Sequence, residues 1–300
     1  MSRPRITRAI VVAVGTATAM ALLAGCTAGS DVGVGNPGAK AKPTASATPE
    51  APTVTGDLEA QDIKLKDSLG EYTPVKLRDD SDALKIPESI VDFSGGSQYS
   101  KAKAVEAAQW VARFAGSETI DGVALDTGEP GWNEWKQTRA DQFISTYSKD
   151  AILGPVTEGD AVGQRSLVVL ATPHNGQFPQ MVRDGGPRVT NGTVKVTGIK
   201  SAEADGIIVT GTTDATYRVL SSKANKLMKS ISPKNTDKIM KPYYPDMYSK
   251  KIIPFELKDT WSYSVYMESG EWKIYSYYNK WSGDFKHDSK ASEKPSDGEK

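Results

Sequence analysis

The residue with the most distinctive chemistry is Cys26, the only cysteine among 300 residues. A single thiol can form neither an intramolecular disulfide nor a zinc site built from several thiolates, but it is a nucleophile that can be alkylated. Cys26 directly follows Leu23-Ala24-Gly25, at the junction between an apolar run and a tract rich in small residues. A cysteine of a packed core would not lie at such a junction. Its position therefore predicts a covalently modified thiol.

The segment before Cys26 has the layout of an export signal. Arg3, Arg5 and Arg8 form a positive region, and Ala9 to Leu23 form an apolar run too short for a stable membrane-spanning helix. Together with Leu-Ala-Gly-Cys, this segment resembles the signal peptide and lipobox of bacterial lipoproteins of the Gram-positive, actinobacterial type. The resemblance implies cleavage before Cys26, a diacylglyceryl group on its thiol and acylation of the new amino terminus, for example with palmitate. A plain signal peptide and an uncleaved signal anchor are the alternatives.

This resemblance predicts that the mature protein is held at the extracytoplasmic face of the cell membrane. Two acyl chains, at about 0.8 kcal/mol per buried methylene, give durable anchoring. Residues 27–56 contain 22 Ala, Gly, Pro, Thr or Ser among 30 positions and no aromatic residue, which predicts disorder. We therefore expect residues 1–25 to be a signal peptide, residues 26–56 a lipidated tether and residues 286–300 a disordered tail.

Composition and the absence of catalytic motifs narrow the function classes. Loss of three arginines with residues 1–25 leaves 34 basic and 37 acidic residues, a net charge of −3, which gives no support for nucleic-acid binding. The two histidines, His174 and His287, are 113 positions apart and suggest no metal site. The sequence has no phosphate-binding glycine loop, nucleophile elbow or H-E-x-x-H motif. No cofactor is predicted.

Hydrophobic periodicity predicts helices early in the body and strands later. Residues 57–97 form an acidic segment that we expect to pack on the body as extended chain or short strands. Ser100 offers the N-cap of a helix that is predicted to end at Gly116, and a second amphipathic pattern runs from Trp132 to Asp150. The remaining pattern predicts a strand over 166–171 and two hairpins, over 189–219 and 261–278, separated by a lysine-rich insertion over 221–257.

This order of elements resembles the α+β, NTF2-like (cystatin-like) superfamily over residues 98–285. The resemblance implies two N-terminal helices packed on a curved antiparallel sheet of about five strands, with Gly211 as a place where a strand can bend. It also implies a cone-shaped interior that relatives use for catalysis, for small ligands or as packed core. Six aromatic residues are candidates to line that interior: Trp110, Trp135, Tyr217, Trp261, Tyr263 and Trp272.

Strand alternation divides the side chains of the last hairpin between two faces. We expect Ile274 and Tyr278 on the core face, and Tyr266, Tyr275 and Tyr277 on the opposite face, where they would form an exposed patch for a partner. Alternation along the preceding strands places the acid Asp214 on the solvent face. The remaining candidates for a general base lie near the helices and are Asp126, Asp141 and Glu134.

These features favour a membrane-anchored cell-surface lipoprotein that acts as a non-catalytic binding or scaffold module for an envelope protein or an apolar ligand. An isomerase, dehydratase or cyclase with a carboxylate in the cone is the alternative from another class. Solute capture for transport is weaker, because such proteins usually have two α/β lobes. The lysine-rich insertion is either a solvated loop or a surface for anionic head groups and wall polymers.

Overall fold

A computed structural model describes residues 52–122, 126–127, 129–153, 178–202, 206–231 and 237–285. These residues form a mixed α+β fold with a mostly antiparallel sheet and a few helices. Several predicted features lie outside the described residues, namely the signal peptide with Cys26, the tether up to residue 51, the strand over 166–171, both histidines and the tail 286–300.

Six short strands lie in and just before the acidic segment over 57–97, in agreement with its predicted extended structure. In chain order they are β1 (Thr55–Gly56), β2 (Leu58–Ala60), β3 (Leu65–Asp67), β4 (Gly70–Tyr72), β5 (Val75–Leu77) and β6 (Val91–Asp92). β2 pairs with β5 and β3 pairs with β4, in two small antiparallel sheets. Because β1 is ordered, the folded body begins before Asp57, within the segment predicted to be tether.

Helix α1 (Lys101–Phe114) confirms the first predicted helix and its cap, because the Ser100 side chain accepts a hydrogen bond from the backbone of Lys103. Its buried stripe of alanines and Val111 faces the core. The predicted stop at Gly116 is wrong, since a π-helical turn continues through Ala115–Thr119. Gly116 instead permits close packing, as a Cβ there would lie 2.8 Å from the Cβ of Leu77.

The second predicted helix is broken into three pieces, α2 (Glu129–Thr138), α3 (Ala140–Phe143) and α4 (Lys149–Leu153). A single residue, Arg139, separates α2 from α3. The longer break follows α3, where Ile144 forms a β-bridge with Ile274 and the backbone N–H of Ser145 donates to the Ile274 carbonyl at 2.9 Å. Pairing with a strand edge thus competes successfully with continuation of the helix.

The two predicted hairpins are confirmed as β7 (Val189–Ser201) with β8 (Ile207–Leu220), and β9 (Ile252–Glu268) with β10 (Glu271–Phe285). Between them lie α5 (Ser221–Ile231), α6 (Asp237–Tyr243) and α7 (Pro245–Ser249). The predicted insertion over 221–257 therefore contains three helices. Its last six residues are the beginning of β9 and belong to the sheet rather than to a loop.

The main sheet has the order β7-β8-β9-β10, and β1 and β6 both pair in parallel with β7. Burial alternates along β8 from Ile207 to Val219, as expected for a sheet with one face on the core. Helix α1 covers that face, where the ring of Phe114 meets Tyr263 edge-on at 5.5 Å. We call this covered face of the sheet the inner face.

A β-bulge in β10 reverses the predicted faces of two tyrosines. The register with β9 shifts between Ile274 and Ser276, so one extra residue enters the strand and the alternation changes phase. Tyr277 lies opposite Tyr263 and packs against the core, whereas Tyr278 is 64% exposed. The prediction that Tyr277 faces outward and Tyr278 inward is therefore wrong.

Candidate functional site

The six aromatic residues predicted to line an interior belong to the packed core. Trp135, Tyr217, Trp261, Tyr263 and Trp272 are buried and Trp110 is half-buried against the same cluster. Their polar atoms are partly satisfied within that core, since Tyr217 donates to the Ile120 carbonyl at 2.8 Å and the Tyr263 hydroxyl lies 3.0 Å from that of Thr119. Near α1, the inner face is filled by side chains.

Further along β9, the inner face carries a carboxylate that the sequence reasoning missed. Asp259 is only 2% exposed and lies between Thr213 of β8 and Trp281 of β10 in the strand register. The signal was available, because Asp259 stands two positions before Trp261 and must share its face. The predicted hairpin began at Trp261 and therefore stopped short of it.

Asp259 has no Lys or Arg ion-pair partner among the described residues. Within those residues, its Oδ1 and Oδ2 make no hydrogen bond of good geometry, and neither does the Nε1 of neighbouring Trp261. Burial raises the pKa of Asp259 to about 7, against smaller opposing effects of the Asn279 side chain and of the backbone N–H groups of Thr260 and Lys280. A carboxyl group with such a pKa exists in both protonation states near neutral pH, which is the property a general acid or base needs.

Gly211 brings Trp261 into place beside Asp259. A Cβ on Gly211 would lie 2.2 Å from Cη2 of Trp261 and 2.5 Å from the Lys195 carbonyl oxygen. Only glycine therefore lets the indole lie across β8. The mid-strand glycine, predicted as a place to bend the sheet, serves here as a close-packing position.

A second set of buried charges, which we call the arginine cluster, consists of Arg183, Arg188, Asp67, Asp121 and Asp126. Arg188 donates from Nε to Oδ1 of Asp121 at 2.9 Å. Arg183 donates from Nη2 to Asp67 at 2.7 Å and to Asp126 at 2.8 Å. All five side chains are at most 7% exposed. Each carboxylate in the cluster therefore has a guanidinium partner.

The ring of Tyr72 packs beneath the arginine cluster, with the Arg188 guanidinium 3.7 Å from the ring centroid. Burial raises the pKa of Tyr72 to about 12, so the ring stays neutral and acts as a cation–π partner. Burial also raises the pKa of Asp121, and the charge of Arg188 opposes that rise. Both oxygens of Asp121 accept hydrogen bonds, from Nε of Arg188 and from the backbone N–H of Val75. These hydrogen bonds favour the ionised form of Asp121.

The predicted general bases are scattered. Asp126 lies in the arginine cluster and also accepts from the backbone N–H of Met181 at 2.7 Å. Asp141 forms an exposed ion pair with Lys149. Asp214 is exposed, as predicted, and Glu134 is exposed on α2. The structure brings none of these four to the inner face.

A cavity of about 360 Å³, which we call the side pocket, lies between the N-terminal strands and α2. Its floor includes Glu118 of the π-helical turn, which accepts from Trp135 Nε1 at 2.9 Å and pairs with Arg139. Its lining residues are Gln61, Ile63, Leu65, Pro74, Val75, Ser117, Glu118, Asp121, Gly122, Glu134, Thr138, Arg139 and Gln142.

Two members of the predicted tyrosine patch remain together on the outer face of the sheet. The ring centroids of Tyr266 and Tyr275 are 4.7 Å apart, and Tyr275 is 42% exposed. We call these two residues the tyrosine pair. Tyr277, the third predicted member, points to the opposite face because of the bulge.

Within the described ranges, no helix is long and apolar enough to cross a membrane, and no group of three or more His, Cys, Asp or Glu side chains could hold a metal ion. The chain matches no protein-family model, and no curated protein or solved structure is significantly similar to it.

Proposed function

We propose that this chain is a lipid-anchored lipoprotein of the cell envelope whose body is a non-catalytic binding or scaffold module for an envelope protein or an apolar ligand. The anchoring part of the proposal rests on Leu23-Ala24-Gly25-Cys26 and the arginines before it. An NTF2-like assignment of the body is supported by a capped helix laid across long antiparallel strands that come later in the chain.

One observation carries the non-catalytic role. The two buried carboxylates that line the side pocket are both engaged by arginine, Glu118 by Arg139 and Asp121 by Arg188. An ionised carboxylate held in this way has its acceptor sites occupied and is a poor proton acceptor. The pocket thus offers room and fixed charges, which suit recognition better than proton transfer.

The anchoring proposal is tested by phase partitioning in a host that processes bacterial lipoproteins. We expect the full chain to enter the detergent phase and Cys26→Ser to stay in the aqueous phase, with a mass difference that corresponds to the lost lipid. Equal partitioning of the two proteins would contradict lipid anchoring.

The scaffold role is tested by chemical crosslinking on intact membranes. If the tyrosine pair contacts a partner, the double variant Tyr266→Ala, Tyr275→Ala loses the crosslinked species that the parent forms. Tyr243→Ala, at an exposed tyrosine of α6, is the matched control and should retain it. Identical species from the parent and the double variant would exclude the tyrosine pair as the contact surface.

Asp259 favours a second candidate function, an NTF2-like enzyme of the isomerase, dehydratase or cyclase type. A buried carboxyl with a pKa of about 7 is suited to removing a proton next to a carbonyl group. The test is deuterium exchange into a small enolisable ketone, followed by NMR. Exchange that Asp259→Asn abolishes and Asp214→Asn retains would favour the enzyme, and exchange at the solvent rate in all three proteins would count against it.

A further inference from the structure

Part of the side-pocket lining is apolar and exposed to solvent. Ile63 is 52% exposed and Leu65 is only half-buried, and both line the cavity together with Pro74. Large aliphatic side chains in contact with water lose the free energy that burial would give them. A ligand with an apolar part would cover this part of the lining.

The rest of the lining is mostly polar and includes three carboxylates. Glu118 and Asp121 are neutralised by Arg139 and Arg188. Glu134 is exposed on α2, and among the described residues no cation lies within ion-pair distance of it. The amide of Gln142 also lines the cavity. Among the described residues, the lining therefore includes one carboxylate without an ion-pair partner and a neutral hydrogen-bonding group.

We infer that the side pocket binds an amphipathic organic cation, with a primary ammonium group at Glu134 and a short apolar chain along Ile63 and Leu65. An ammonium group has three donors and can bond to a carboxylate and to a further oxygen acceptor in the lining. A volume of about 360 Å³ is within the range of small-ligand sites. This inference rests on the proposed binding function and adds the chemical class of the ligand.

The binding test uses the full mature chain with Cys26→Ser and three probes of equal chain length: hexylammonium, hexanol and hexanoate. Binding is followed by calorimetry and by the fluorescence of Trp135, which is hydrogen-bonded to the pocket floor. We expect hexylammonium to bind about tenfold more tightly than hexanol, the factor that a charge-assisted hydrogen bond supplies, and hexanoate to bind more weakly than either. Equal affinity for all three probes, or no binding of any, would overturn the inference.

Two pairs of variants locate the site. Glu134→Gln should lose the roughly tenfold preference for hexylammonium over hexanol, while Glu88→Gln, at an exposed glutamate away from the pocket, should retain it. Ile63→Ser should weaken hexylammonium and hexanol alike, while Leu69→Ser, in the turn after β3, should change neither. Retention of the preference by Glu134→Gln would overturn the inference.

The two proposals fail in different ways. If hexanol binds as tightly as hexylammonium, the inferred ammonium ligand is wrong, but the proposed binding function still stands. If no probe binds, the side pocket is not a site for this class, and the partitioning test of Cys26 still decides whether the protein is an anchored lipoprotein.

Discussion

The arginine cluster and Asp259 show two outcomes of removing a carboxylate from water. Asp121 is buried with two N–H donors on its oxygens, whereas Asp259 is buried without a guanidinium partner among the described residues. In the first case the charge is retained and becomes part of the structure. Burial raises the pKa of both carboxyl groups, but only at Asp121 does a guanidinium oppose that rise. The comparison is therefore between a buried carboxylate with a cation beside it and one without.

Removing the guanidinium from the arginine cluster should have the largest effect. Arg188→Met leaves Asp121 buried and unpaired, and we expect the free energy of unfolding at pH 7 to fall by about 3–5 kcal/mol. Urea denaturation followed by circular dichroism measures it. The loss should be smaller at pH 4, where Asp121 can protonate. A loss of less than about 1 kcal/mol at pH 7 would mean that the cluster is not a structural unit.

Removing the charge of Asp259 should increase the free energy of unfolding rather than decrease it. Between its unfolded pKa of about 3.9 and its folded pKa of about 7, the folded state binds more protons, so stability decreases as pH rises through this window. Asp259→Asn cannot ionise and should be more stable than the parent at pH 8, by at most roughly 4 kcal/mol. At pH 4 the two should be nearly equal.

The control for this variant is Asp214→Asn, at an exposed position of β8, which should follow the parent at every pH. The measurement is urea denaturation at pH 4, 6 and 8. If the free energy of unfolding depends on pH in the same way for the parent and Asp259→Asn, the carboxylate is solvated. The contrast with the arginine cluster would then not hold.

Gly211→Ala tests whether Trp261 helps to isolate Asp259. The new methyl group meets the indole and the Lys195 carbonyl, and overpacking of this kind costs about 1–3 kcal/mol. A displaced indole should also change tryptophan emission. It should also move the upper end of the pH range over which stability decreases to below pH 7. Gly95→Ala, whose Cβ would meet only Ser201 at 3.6 Å, should change none of these. An unchanged emission spectrum would separate Trp261 from the behaviour of Asp259.

The smallest loss of stability is expected when an exposed ion pair is broken, in contrast to the buried arginine cluster. Arg113 and Asp79 are paired at 49% and 76% side-chain exposure, where water and salt screen the charges. Arg113→Met should be indistinguishable from the parent in urea denaturation. A loss as large as that of Arg188→Met would show that burial is not what gives the arginine cluster its importance.

Local patterns made part of the fold predictable. The helix after Ser100 and both long hairpins follow from periodicity and turn residues that are close together in the sequence. The bulge at Tyr275 could not be read in this way, because the extra residue is defined only by the register with β9. For the same reason the predicted faces of Tyr277 and Tyr278 were exchanged.

The candidate sites were less accessible to sequence reasoning. Asp259 needed only the alternation of Trp261 and Tyr263 to be extended by two positions. The arginine cluster joins Asp67, Asp121 and Arg183, which are far apart in the chain, so no local spacing could indicate it. The side pocket likewise combines residues near position 63 and a helix near position 134, which line one cavity although they are far apart in the chain.

The bulge in β10 also determines which changes of length the strand tolerates. Loss of Tyr275 would place Ser276 next to Ile274 and restore a regular ladder, with every later side chain on its present face. Loss of Lys280 would instead turn Trp281 and Phe285 toward solvent, since the period of two has no spare residue there. Insertions and deletions among natural variants of this strand should therefore be concentrated at position 275.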